Sequence, residues 1–449
     1  MLRQKYFAPI LAILSLAMPG RAQAPAAPPF QFSSIDEKLL ADTNELDQQF
    51  EKKGLVYHDP NVDAYVTRVA RQLLGEAPVP ERVAFKFRVT RDPMINAFAL
   101  PNGSIYVNSG LLAAMTDEAE LASVLAHEIT HVTNRHTYLQ NRSLRKKAVT
   151  MNVLSLVSAA GGYFPYGSAF GIALRSAAAA SQVLLVATIF GYSQDMEREA
   201  DSAGFNRLVQ ANYDGEAMVH AFEHLDEKLE YEPVEPFWRT HPKLQDRIAM
   251  AKAMARVEQL GKPREVSETE YLAAVAPVIR FNAIADLDSR RARTAIARVQ
   301  RLVDWEPGNA TDRTLLADGY RSLNARPPAP DKEELSSRGQ SLDRKLMLKL
   351  TAGEEQQLLL KTPQGKTALE QNRAKAEALY RETIGQTPAF ADAHRGLGML
   401  YQEQARYPEA AREYREYLRL APADAADRLR IERRLASASG ATPGGVENQ

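Results

Sequence analysis

Two histidines four residues apart, with a glutamate directly after the first, stand together in His127-Glu128-Ile129-Thr130-His131. On a helix of 3.6 residues per turn that spacing leaves the two imidazoles about 40° apart around the axis, so both project from one face and can hold one ion. Glu128 points to a neighbouring face, near enough to take a proton from an activated water without being a ligand. The opposing reading is a pair of surface histidines on a polar helix face. The setting weighs against it, because Leu121, Val124, Leu125 and Ile129 make the segment strongly apolar. A catalytic zinc takes three protein ligands and keeps a fourth position open, so one ligand must come from elsewhere. The chain contains no cysteine, which excludes thiolate ligands, disulfides and a thiol nucleophile and leaves His, Asp and Glu.

Glu197 is the candidate third ligand. In Glu197-Arg198-Glu199-Ala200-Asp201, positions 197 and 201 share one face of an expected helix, so Asp201 stands ready to orient a ligand histidine by a hydrogen bond. The alternative for Asp201 is an ordinary surface carboxylate or a helix salt bridge. Glu199 falls on the opposite side and is expected in solvent. His136 either lies on much the same helix side as His127 or is a satisfied polar residue at the helix end. His58, His220, His224 and His394 have no such company and read as structural or exposed.

The surrounding pattern says what positions these residues. Residues 34–74 carry helical periodicity through Leu39, Leu40, Leu46 and Phe50, then Val62, Tyr65, Val66, Val69 and Leu73, which predicts two or three packed helices. From Val83 the period falls to two, with Val83, Phe85, Phe87 and Val89 apolar, as in a half-buried strand. Residues 96–100 and 104–108 read as two short strands around the turn Pro101-Asn102-Gly103. The helix bearing the motif follows, with Thr116 as expected N-cap and Asp117, Glu118 and Glu120 in its first turn. Residues 148–191 are apolar and rich in Gly and Ala; three readings are a buried or bilayer-surface helix pair, a true membrane span, and a lid over the site.

Lys plus Arg (56) equals Asp plus Glu (56) in the 449 residues, so no global basic field draws nucleic acid, and none is expected as partner. Arg3 and Lys5, the apolar stretch to Met18 and the small residues near Ala24 and Ala26 read as a secretory signal, cleaved after Ala26 because Pro25 disfavours the earlier site. The C-terminal third repeats. Ala376, Tyr380 and Pro388 recur 34 residues on as Ala410, Tyr414 and Pro422, and His394-x-x-Leu397-Gly398-x-x-Tyr401 fits the first helix of a tetratricopeptide repeat. A fainter copy holds Ala295, Pro307, Leu316, Ala317 and Tyr320. Such repeats stack into a surface that binds other polypeptides.

The motif with Asn134-Arg135-His136, Gly191-Tyr192-Ser193-Gln194, Glu197-Arg198-Glu199-Ala200-Asp201 and Thr240-His241-Pro242 through Arg247 resembles the gluzincin peptidases, the family that includes the CAAX prenyl protease and HtpX. The leader and the repeats make the whole similar to the periplasmic BepA type within it. The resemblance covers roughly residues 35–436. It implies an α+β, mainly α fold: a zincin-like metallopeptidase domain with a small β-sheet, then an α-helical tetratricopeptide-type repeat domain. The expected divisions are a signal peptide at 1–26, the metallopeptidase at 34–265, a degenerate helical repeat at 270–323 and tetratricopeptide-type repeats at 370–436.

By the resemblance His127, His131 and Glu197 hold one zinc ion per chain, Glu128 is the catalytic base, and Asp201 acts beside Arg247. His241 is implied to approach the zinc as a fourth, latency-enforcing ligand; the alternative is a loop histidine packed beside Pro242. The implied activity is endopeptidase cleavage of misfolded or stalled outer-membrane and periplasmic proteins, with substrate backbone pairing to the strand at 96–100. The implied place is the periplasm, with the outer-membrane β-barrel assembly machinery as partner through the repeats. A reading from another class is a tetratricopeptide chaperone or adaptor whose zinc is latent or structural. No oxyanion donor stands out; a Tyr, Arg or His from the 190s or the loop near 240 would serve.

Overall fold

The computed structural model describes residues 30–76, 79–146, 192–229, 244–257, 268–289, 291–323 and 363–439. The expected signal peptide, the apolar region 148–191 and His241 lie outside these residues.

Helix α1 (Ser34–Lys52) opens on a reciprocal capping box between Ser33 and Asp36. Helix α2 (Pro60–Leu74) is capped by Asp59, whose side chain accepts from the amides of Asn61 and Val62, with Pro60 in the first turn. It buries Val62, Val66, Val69 and Leu73, one stripe at helical spacing. Three short strands follow: β1 (Lys86–Thr90), β2 (Ala97–Ala99) and β3 (Ser104–Asn108). Their order is β1-β3-β2, with β3 parallel to β1 and antiparallel to β2 across the turn at 101–103. The first strand starts later than its alternation predicts. Val83 and Phe85 pack partly buried on the core, while the amides of Ala84 and Lys86 are taken by the turn carbonyls of Asn102 and Gly103 at 2.9 and 3.1 Å.

After the short α3 (Ser109–Ala114) comes α4 (Glu118–Thr133), which carries the histidine motif. Its N-cap is Asp117 and not Thr116. The Asp117 carboxylate accepts from the amide of Glu120 at 2.9 Å, and Thr116, one residue outside, donates its own amide to Glu120 Oε2 at 2.8 Å. A carboxylate faces the positive end of the helix better than a hydroxyl does. Every residue of α4 from Glu118 to Val132 is buried, so this helix runs through the middle of the domain. Around it lie α5 (His136–Lys146), α6 (Gln194–Gln210), α7 (Glu216–Leu229) and α8 (Leu244–Val257). Buried Glu118 accepts from Tyr65, Arg68 and Tyr213 and so ties α4 to α2 and to the loop after α6.

The C-terminal part is a succession of helices, each packed on the next: α9 (Glu268–Asp288), α10 (Ala292–Trp305), α11 (Ala310–Ser322), α12 (Pro363–Gln386), α13 (Ala391–Glu403), α14 (Tyr407–Leu420) and α15 (Arg428–Ala438). The recurring Ala376, Tyr380, Ala410 and Tyr414 are all fully buried in it. The Gly398 of the repeat pattern has a packing reason, since a Cβ there would stand 2.7 Å from the Tyr414 ring. The core is continuous across the expected division at 265–270. Tyr271, Leu272, Val275, Ile279 and Leu302 belong to one hydrophobic cluster with Val62, Val107, Leu125 and Phe222. Tyr271 donates to the Leu112 carbonyl at 2.7 Å, and Arg301 donates to the carbonyls of Ala113, Met115 and Thr116 at the end of α3. Among the described residues no helix is long and apolar enough to cross a membrane.

His394 ties α13 to α14 and to the loop before α13 through both ring nitrogens: Nδ1 lies 2.7 Å from Glu413 Oε2 and Nε2 3.1 Å from the Pro388 carbonyl. Both partners are acceptors, so only the imidazolium satisfies both contacts. The bond to Glu413, against the effect of burial, raises its pKa above the ordinary 6.5. A raised folded pKa contributes stability that is fully present below pH 6.5 and lost as pH rises through the folded value. His394→Gln should therefore cost about 2 kcal/mol below pH 6 and much less at pH 9. Denaturant titrations of both proteins across that range check it, and parallel stability curves would refute it.

Candidate active site

Helix α4 brings His127 and His131 together with Nε2 atoms 2.9 Å apart. Helix α6, begun by Ser193 accepting from the Met196 amide, lays its 197/200/201/204 face against α4. That face sets Glu197 Oε2 at 3.6 Å from His127 Nε2 and Oε1 at 3.5 Å from His131 Nε2. All three side chains are buried. Glu128, beside them on α4, is buried too, and its charge bears on Arg247 and Tyr192.

The remaining nitrogen of each histidine is occupied. His127 Nδ1 stands 2.9 Å from Asp201 Oδ1, and His131 Nδ1 stands 2.9 Å from His136 Nδ1. With protons on the two Nδ1 atoms, both Nε2 lone pairs face Glu197. Asp201 is in turn gripped by Arg247 from α8, Nε to Oδ2 at 2.9 Å and Nη2 to Oδ1 at 2.7 Å, a two-pronged fit of guanidinium to carboxylate. Arg247 Nη1 reaches Glu197 Oε2 at 3.4 Å, and its guanidinium lies 4.4 Å over the Phe222 ring. Burial alone would raise the Asp201 carboxyl, but Arg247 and His127 outweigh it and hold it well below the usual carboxylate range.

His136 does not lie on the motif helix. That helix ends at Thr133, Arg135 takes a left-handed conformation (φ 57°), and His136 begins α5, turned back onto His131. Burial pushes the His136 imidazole toward its neutral form against the pull of Glu199. Glu199 is exposed as expected, yet partnered: Asn134 Nδ2 donates to it at 2.6 Å, and it stands 3.5 Å from His136 Nε2. Tyr192 stacks on the His131 ring, centroids 3.7 Å apart, and shares a hydrogen bond with Thr137. Nothing in local periodicity marks that stacking.

Gly204 also escapes a reading by motif. A Cβ on it would meet the backbone of His127 and Ala126 at 3.1 to 3.2 Å, so the missing side chain is what lets α6 approach α4 closely enough for Glu197 to reach the histidines. Ala200 and Gly204, four apart on the face that carries Glu197 and Asp201, are the signal that would have found it. Gly204→Val should lower zinc affinity about tenfold or more while leaving helical content intact, with Gly204→Ala between. Chelator competition on the three proteins measures this, and equal affinities would separate the close approach from the site.

The donor set fits a zinc ion. At zinc–ligand distances near 2.1 Å, tetrahedral donors stand roughly 3.4 Å apart, close to the spacings found here, and two imidazoles with one carboxylate is a known catalytic combination. Residues 60–255 match peptidase family M48. Relatives include a putative beta-barrel assembly-enhancing protease of Vibrio cholerae, 32% identical over 254 residues, which are 56% of this chain and 50% of the relative. The beta-barrel assembly-enhancing protease of Escherichia coli is 28% identical over 288 residues, 62% of this chain and 54% of the relative. Mitochondrial metalloendopeptidase OMA1 of Schizosaccharomyces pombe is 31% identical over 194 residues, 43% of this chain and 52% of the relative. The chain thus spans about half the length of the curated relatives it matches. The match to peptidase family M48 thus falls on the span, residues 60–255, in which two histidines and a glutamate converge at one buried point, an arrangement suited to a metallopeptidase.

Proposed function

We propose that this protein is a zinc endopeptidase of the bacterial envelope that cleaves misfolded or stalled outer-membrane and periplasmic polypeptides and assists outer-membrane protein assembly. The observation that carries the reading is the placement of a buried glutamate next to a two-histidine, one-glutamate metal set. A purely structural zinc site has no use for that second glutamate. The names of two bacterial relatives, beta-barrel assembly-enhancing proteases, support the assembly role, and the expected secretory leader supports the envelope.

In this reading His127, His131 and Glu197 hold the zinc, which when bound lowers the pKa of a water molecule and polarises the scissile carbonyl. Glu128 accepts the proton and delivers it to the leaving amine. Asp201 acts through His127, keeping its proton on Nδ1, and Arg247 keeps Asp201 charged. Strand β2, at the edge of the sheet and in contact with α4, offers backbone groups to an extended substrate chain. That mode reads little sequence and suits unfolded polypeptides. The stacked helices α11 to α15 serve as the polypeptide-binding surface, and the β-barrel assembly machinery is the partner proposed for it.

Purified protein should carry about one zinc per chain, and His127→Ala, His131→Ala and Glu197→Ala should each lose most of it. Glu128→Gln should keep its zinc and lose at least about 10²-fold in cleavage of an unfolded protein. Metal analysis beside a casein-type assay separates the two effects, and a Glu128→Gln enzyme of wild-type rate would end this mechanism. His241, proposed from Thr240-His241-Pro242 as a restraining fourth ligand, should give faster cleavage, self-cleavage included, when replaced by Ala. A rate about 10²-fold lower would instead make it an oxyanion donor.

A further inference from the structure

The segment at residues 30–36 lies far in sequence from the metal set, yet it is built onto the turn that places His136. Phe30 and Phe32 pack edge to face with each other, centroids 5.0 Å apart, and both lie against Tyr138 of α5 at 5.7 and 5.5 Å. The Arg135 guanidinium stands over both rings, 4.4 Å from the Phe30 centroid and 5.0 Å from that of Phe32. Arg142 covers Phe30 from α5 at 4.5 Å, donates to the Gln31 carbonyl at 2.6 Å, and pairs with Asp36 at the start of α1. Arg82 covers Phe32 at 4.6 Å. Two aromatic rings are thus enclosed by three guanidinium groups, an arrangement in which each cation faces the negative side of a ring.

The part of this cluster that bears on the site is Arg135. It is the residue in the left-handed conformation between α4 and α5, and its Nη1 is buried with no hydrogen-bond partner. A non-glycine residue at φ 57° is held by its surroundings, not by its own preference. The surroundings here are the two phenylalanine faces on the side chain and, on the backbone, the amide's hydrogen bond to the Val132 carbonyl at 3.0 Å. The next residue is His136, whose Nδ1 meets His131 Nδ1 at 2.9 Å and so governs which way the His131 lone pair points.

We propose that Phe30 and Phe32 form an aromatic clamp on Arg135 that positions His136 against the zinc ligand His131, so that the N-terminal segment sets metal affinity from outside the metallopeptidase core. Phe30, Phe32 and Arg135 are positioning residues; none touches substrate or metal. The inference rests on the zinc reading of the site.

The test uses the full-length protein and free zinc, with affinity measured by chelator competition. Phe30→Leu/Phe32→Leu keeps apolar bulk but removes the ring faces, and should weaken zinc binding about tenfold or more, the range seen when a partner of a metal ligand is lost. Phe30→Tyr/Phe32→Tyr keeps the faces and should restore wild-type affinity. Arg135→Gly takes the left-handed conformation without support, so in that background the double leucine change should alter zinc affinity less than twofold. Melting of the zinc-free proteins is recorded alongside. A double leucine protein that melts earlier but binds zinc as wild type does would make the cluster merely structural, and an undiminished loss in the Arg135→Gly background would take Arg135 out of the path. If wild type binds no zinc, or His131→Ala binds it as well as wild type does, the site reading itself falls and the clamp with it.

Discussion

Two carboxylates and two imidazoles cannot share a dry pocket unless something offsets the desolvation of their charge, and Arg247 supplies that offset. Its guanidinium is shared between Asp201 and Glu197, is itself buried, and rests on the face of Phe222. Removing one partner of such a buried pair costs roughly 3 to 5 kcal/mol, because the charge left behind has no water to turn to. The grip also fixes the direction of the Asp201 oxygens, hence the proton on His127, hence the lone pair presented to a metal. The chain of causes runs from an arginine on α8 through an aspartate on α6 to a histidine on α4. The packing of these three helices is therefore a condition for the chemistry.

Much of the site is legible because it is local. A four-residue spacing in an apolar run places His127 and His131 on one face whatever the rest of the chain does, and the same periodicity puts Glu197 and Asp201 side by side. The turn at 101–103 and the alternation through Phe87 and Val89 likewise depend only on neighbours, and strands and turn appear as expected, the first strand slightly shorter.

What was not legible depends on contacts distant in sequence or on a choice between similar residues. Thr116 and Asp117 are both good caps, and only the seated carboxylate of Asp117 decides between them. A helical wheel continued past Thr133 puts His136 on the wrong course, because one left-handed residue ends the helix there. The stacking of Tyr192 on His131 joins positions separated by a long stretch of chain. No local pattern tells what covers Tyr271, Leu272, Val275 and Ile279, and the cover proves to be the core built around α4.

That shared core ties the metal to helices α9 and α10 by thermodynamic linkage. An ion that binds only the folded site stabilises everything that unfolds with it, by an amount that grows with the logarithm of its concentration. Because Tyr271 and Arg301 hold the carbonyl end of α3, and α3 leads directly into the motif helix, opening of α9 and α10 and opening of the site draw on one free energy. The concentration of available zinc thereby sets how firmly the root of the C-terminal helices is anchored. Conversely, a ligand that braces those helices makes the pocket a better trap for the ion.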